Sequence, residues 1–130
     1  PFSYRGVVVH GDHRGRTLGV PTANITIAAD RAAPGDGVYA GRVRRPGTHG
    51  PPMTAAISVG SNPQYAGTER RIEAHVLDEE SLDLYDQEID VEFLTRLRGQ
   101  QVFDSEAAFI EQMQADIRAA QAIGEAPEAS

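Results

Sequence analysis

The sequence predicts an all-β domain with one C-terminal helix, its strands closing into a small antiparallel barrel. Three observations carry this expectation. Glycine and proline are dense from Gly6 through Gly67, and short β-branched runs lie between them, the texture of strands joined by frequent turns. Two runs alternate with period two. Ile72, Ala74 and Val76 point one way while Glu73, His75 and Leu77 point the other; Ile89, Val91 and Phe93 point inward while Asp90 and Glu92 face water. One buried face and one wet face is the antiparallel pattern. The period changes once, to helical spacing, after Ser105. Five or six strands with no helix between them suit a closed barrel, which leaves no edge exposed.

In chain order, strands are expected at Tyr4–His10, Asn24–Ile27, Val38–Arg45, Met53–Val59, Arg71–Leu77 and Glu88–Leu97. Asp36-Gly37 and the stretch from Pro46 to Pro52 supply turn residues between them. The helix is expected to place Phe109, Ile110, Met113, Ile117 and Ala120 against the barrel, with Glu111, Gln114 and Arg118 on the opposite face. Asp104 or Ser105 can cap its N-terminus, and Glu106 complements the helix dipole there. The barrel and helix should fill residues 1–122 as one domain, and the polar tail 123–130 should fray.

Composition excludes whole classes of function. The chain has 130 residues, nineteen acidic and twelve basic side chains, and a net charge of −7. An acidic balance argues against a general nucleic-acid binder. No run approaches the roughly 20 apolar residues of a membrane span, and the start of the chain has no signal-peptide pattern, so a cytoplasmic protein without membrane contact is expected. There is no cysteine, hence no disulfide scaffold and no thiol nucleophile. All twelve basic residues are arginine. Without lysine there is no Walker-type phosphate loop, no protein-kinase strand lysine and no Schiff-base chemistry.

Two features carry possible chemistry. From Gly6 to Asn24 a strand runs into a loop with Gly11, Gly15 and Gly19 at four-residue spacing and with Arg14 and Arg16, ending in Pro21-Thr22-Ala23-Asn24. Glycines let backbone amides approach an anion, arginines clamp phosphate oxygens, and the Thr22 hydroxyl and Asn24 carbonyl are hard ligands suited to Mg²⁺. The same residues also suit an ordinary hairpin loop. Glu73 stands mid-strand on the face opposite Ile72, Ala74 and Val76; it suits a general base for an alcohol, while the residues alone favour a solvated strand residue in a cross-strand ion pair. Other signals fail. Ala56-Ile57-Ser58-Val59-Gly60 lacks the first glycine of a nucleophile elbow, and His10, Asp12 and His13 are too few for a zinc site.

Taken together, the motifs resemble the riboflavin kinase family. Gly6, Val8, Gly11, Gly15, Arg16, Leu18, Gly19, Pro21, Thr22, Ala23 and Asn24 match its G-x-V-x-x-G and G-R-x-L-G-x-P-T-A-N signatures. Gly37-Val38-Tyr39, the run Ala56–Pro63, the block Glu73–Asp78, Asp83-Leu84-Tyr85, Leu97-Arg98 and Phe103-Asp104-Ser105 follow in the family's order. Asp86 stands where the family commonly has glycine, and Gln64 where it often has threonine. The resemblance implies a six-stranded Greek-key barrel with a helix beside it. It also implies ATP- and Mg²⁺-dependent phosphorylation of riboflavin to FMN, with ADP released. On this basis Glu73 is the catalytic base. The nucleotide is held by Gly11, Gly15, Arg16, Gly19, Thr22 and Asn24, of which Thr22 and Asn24 hold Mg²⁺. Arg98 and Phe103 are expected to wall the flavin site, by stacking. Bacterial members usually carry this module beside an FAD synthetase (adenylyltransferase) domain, and an excised module of such an enzyme is favoured over a natural single-domain kinase. The alternative is a flavin-binding barrel without catalysis.

Overall fold

A computed structural model describes residues 2–9, 22–28, 32–47, 52–61, 70–77, 87–99 and 104–125. Among them the chain forms six strands and one helix: β1 (Phe2–Val7), β2 (Thr22–Thr26), β3 (Gly37–Arg44), β4 (Met53–Ser61), β5 (Arg70–Val76), β6 (Glu88–Arg98) and α1 (Glu106–Glu125). Each strand overlaps the one expected from the sequence. β1 is displaced most, to Phe2–Val7; β2 starts at Thr22, so both hydroxyl and amide of the Thr-Ala-Asn run belong to a strand.

All strands pair antiparallel in one sheet of order β1-β6-β3-β4-β5-β2. The segment β6-β3-β4-β5 is a Greek key, three sequential strands with the fourth returning beside the first. The sheet curls until its two outer strands meet. The Val9 N–H donates to the Asn24 carbonyl at 2.8 Å, and Val9 and Asn24 form an isolated antiparallel bridge. The expected closure of the barrel therefore runs, among the described residues, through this bridge.

The concave side is filled by Tyr4, Ile25, Tyr39, Ile57, Val59, Ile72, Val76, Ile89, Val91 and Phe93 among others, the inward set that period-two alternation predicts. Tyr39 and Phe93 meet edge to face with ring centroids 5.2 Å apart. Buried tyrosines need partners for their hydroxyls: the Tyr39 hydroxyl donates to the Gly35 carbonyl at 2.7 Å, and the Tyr4 hydroxyl accepts from the Ala28 N–H at 2.9 Å. Gly41 sits beside a register shift between β3 and β6. A Cβ there would lie 2.1 Å from the Glu92 carbonyl oxygen, so only glycine lets these strands close up.

Helix α1 begins as its sequence dictates. Ser105 caps it, its hydroxyl accepting from the Ala108 N–H at 3.1 Å. Met113 and Ala120 are buried, while Glu111, Gln114 and Arg118 are exposed. The helix lies on the convex side of the sheet, where Ala120 packs with Ala40, Ala56 and Leu77. This corrects the expectation of a wet second face: His75 is 1% exposed and Leu77 4%, because the helix and the neighbouring strands cover this end of β5. The helix runs to Glu125, and residues 126–130 of the expected tail lie outside the described residues.

Candidate active site

Register decides which side chains share the convex face. In antiparallel ladders directly opposed residues point to the same side. Asn24 on β2 opposes Glu73 on β5, Glu73 opposes Ser58 on β4, Ser58 opposes Val38 on β3, and Val38 opposes Arg98 on β6. With Val9 beyond Asn24, this row crosses the whole sheet. The adjacent row holds Thr22 opposite His75, His75 opposite Ala56 and Ala56 opposite Ala40. Thr22 and Asn24 thus converge with Glu73, distant in sequence, on one patch where β2 meets β5.

The patch has distinct polar chemistry. Asn24 is 3% exposed, and its Oδ1 is buried with no hydrogen-bond partner among the described residues. Buried acceptors are nearly always satisfied, so an orphan of this kind is open to a water, an ion or another ligand. Thr22 lies two residues away on the same face, and its Oγ1 is 3.1 Å from Nδ1 of His75. An amide oxygen and a hydroxyl, both neutral and hard, are a donor pair fit for a small divalent cation. Glu73 is half-buried between Asn24 and Ser58, a carboxylate beside that donor pair.

Arg98 lies on the same row but three strands from Glu73. Its guanidinium is fastened to the helix: Nε is 3.1 Å from each oxygen of Asp116, Nη2 is 2.8 Å from Oδ2, and Nη1 donates to the Gly99 carbonyl at 3.0 Å. Gln112 adds a bond to Asp116 Oδ1 at 3.1 Å. Asp116 is 4% exposed, so this is a buried, bidentate ion pair between β6 and α1. Gly11, Gly15, Arg16, Gly19 and Phe103, like Asp86 and Gln64, lie outside the described residues.

Sequence reasoning gave no role to His75 or Asp116. His75 had a legible signal, sitting two residues past Glu73 and therefore on its face. Asp116 had a subtler one: it stands three residues after Met113 and four before Ala120, on the buried stripe of the helix, where a lone carboxylate demands a cation.

Comparison with known proteins adds an independent line. A family model described as riboflavin kinase matches residues 1–124. The bifunctional riboflavin kinase/FMN adenylyltransferase of Escherichia coli (strain K12) is 39% identical over 105 residues, covering 81% of this chain and 32% of that protein. The chain thus spans about a third of the length of that curated relative. Among solved structures, a macrolide-efflux protein from Streptococcus pneumoniae superposes with a TM-score of 0.77 at 38% identity, over 93% of this chain and 38% of that one. A riboflavin kinase from Trypanosoma brucei superposes with a TM-score of 0.63 at 24% identity, over 98% of this chain and 91% of the other; at that identity the likeness speaks for the fold alone.

Proposed function

The chain belongs to the riboflavin kinase family, and from that premise we propose that it transfers the terminal phosphoryl group of ATP to the 5′-hydroxyl of riboflavin, giving FMN, ADP and a proton. One observation supports this most directly: the orphan Asn24 Oδ1, the Thr22 hydroxyl and the Glu73 carboxylate share one patch of the sheet.

Phosphoryl transfer asks little covalent chemistry of a protein; it asks for position and for charge neutralisation. Thr22 and Asn24 would hold Mg²⁺, which supplies neutralisation of the phosphate oxygens when bound with ATP. The loop carrying Gly11, Gly15, Arg16 and Gly19 would take the phosphates with backbone amides and one guanidinium, in a chain that has no lysine. Glu73 orients the 5′-hydroxyl and accepts its proton as the new P–O bond forms. In riboflavin the 5′-hydroxyl is at the far end of the ribityl chain from the ring. The ring must therefore lie away from Glu73, and Arg98 at the other end of the same row satisfies this, with Phe103 as its companion wall. Among the described residues no helix is long and apolar enough to cross a membrane. The use of ATP favours a cytoplasmic setting. Since the relatives are three times longer and bifunctional, the same reading places this module beside an FMN adenylyltransferase domain.

Incubation with riboflavin, ATP and Mg²⁺, followed by chromatography, tests the reading. FMN and ADP should appear in equal amounts and only when the metal is present. Riboflavin binding without FMN formation would replace the kinase by a passive flavin carrier.

A further inference from the structure

We propose that His75 is the positioning residue of the cation site: its Nδ1 accepts the Thr22 hydroxyl proton and thereby aims the oxygen lone pairs of Thr22 at the cation. The inference rests on reading Thr22 as a metal ligand, and adds a residue to which that reading gives no part.

A threonine hydroxyl is a rotor with one proton and two lone pairs. To face a cation it must turn its proton away, and an acceptor on the far side fixes that orientation before the cation arrives. Metal ligands commonly depend on such outer partners. His75 is placed to be one. It opposes Thr22 directly in the β2–β5 ladder, its Nδ1 lies 3.1 Å from Thr22 Oγ1, and at 1% exposure its ring has little room to turn. Its cross-strand neighbour Ala56 belongs to the group sealed under Ala120 of the helix. Two proton arrangements fit the distance. In one, Nδ1 carries the proton and donates to Thr22, which uses an oxygen lone pair and leaves the hydroxyl proton to compete with the cation. In the other, the proton of the neutral ring is on Nε2, and Nδ1 is the acceptor. Only the second turns the hydroxyl proton away and leaves both lone pairs to the cation.

The ring nitrogens report the answer without any turnover. Long-range proton–nitrogen NMR of the whole chain, at a pH where the ring is neutral, should find His75 protonated at Nε2, with an Nδ1 resonance that moves in Thr22→Val. A proton on Nδ1 overturns the proposal. In the riboflavin-phosphorylating assay, His75→Leu should raise the Mg²⁺ concentration for half-maximal FMN formation by about tenfold or more. His75→Asn, whose Oδ1 occupies the place of Nδ1, should recover most of that loss. If Thr22→Val raises the Mg²⁺ requirement and a folded His75→Leu does not, His75 is removed from the site while Thr22 stays. An unchanged requirement in Thr22→Val overturns the metal reading itself, and this proposal with it.

Discussion

Asn24 and Glu73 stand directly opposite each other across the β2–β5 ladder, so an amide oxygen with no hydrogen-bond partner among the described residues and a carboxylate share the same face of the sheet. Neighbouring side chains at such a pair have Cβ atoms about 4.5–5.5 Å apart. On the proposed reading, a cation ligand and a base at that spacing would serve two oxygens of one transfer: the phosphate oxygen that needs its charge neutralised, and the hydroxyl that attacks.

Asn24→Leu separates ligand from structure. Replacing an unsatisfied buried acceptor by an apolar group of similar shape is close to neutral for stability. The melting temperature should hold or rise, while FMN formation at fixed Mg²⁺ falls by at least the roughly 10–100-fold typical of losing even an outer partner of a metal. Part of the loss should return at high Mg²⁺. Calorimetry with a metal titration checks both halves; a variant that unfolds early and keeps its metal dependence would make Asn24 a purely structural residue.

Glu73→Gln keeps the shape of a half-buried side chain and removes the base. The expected result is a drop in kcat of about 10²–10⁴-fold, with KM for both substrates little changed and a normal circular dichroism spectrum. Near-wild-type turnover would take Glu73 out of the mechanism.

Much of this arrangement is legible in the sequence because it is local. Alternation in β5 and β6 marks the inward residues, and Ser105 announces the helix. Register is different. Whether Glu73 opposes Asn24 or one of its neighbours decides if ligand and base share a face, and no local pattern states it. The same holds for the convex face of β5, where His75 and Leu77 read as solvent-facing by alternation yet are buried. Their cover comes from β2 and from α1, elements about 50 residues before and 40 after in the sequence. Asp116 was hidden for a related reason: its partner Arg98 belongs to another element, and only packing makes the pair.

Acid should weaken the β1–β6 edge in a defined direction. Arg5 Nε and Nη2 donate to the two oxygens of Asp90 at 2.7 and 2.8 Å. These hydrogen bonds, more than the charge attraction beside them, hold the Asp90 carboxyl below the ordinary carboxylate range, against an opposing push from burial. A carboxyl lowered in the folded state stabilises the fold above its unfolded pKa, and that contribution is lost as pH falls through the folded value. Arg5→Met should therefore be less stable than the parent near neutral pH and match it in strong acid. Because the Arg5 side chain is 54% exposed, the difference should be small and shrink with added salt. Urea midpoints across pH check it; a gap that widens in acid would contradict the assignment.

The Arg98–Asp116 pair lets the structural and flavin roles of Arg98 be told apart. Its side chains are 14% and 5% exposed, so removing one partner strands a buried charge. Asp116→Leu should cost about 3–5 kcal/mol and loosen α1 from β6. Replacing both partners by apolar groups of similar volume is often neutral or stabilising, so Arg98→Met with Asp116→Leu should recover most of that stability. If the guanidinium also lies against the flavin, the restored double variant still has a raised riboflavin KM with its ATP KM unchanged. Stability recovered together with a normal riboflavin KM would confine Arg98 to fastening the helix and leave Phe103 as the wall to test, by Phe103→Ala and the same comparison of the two KM values.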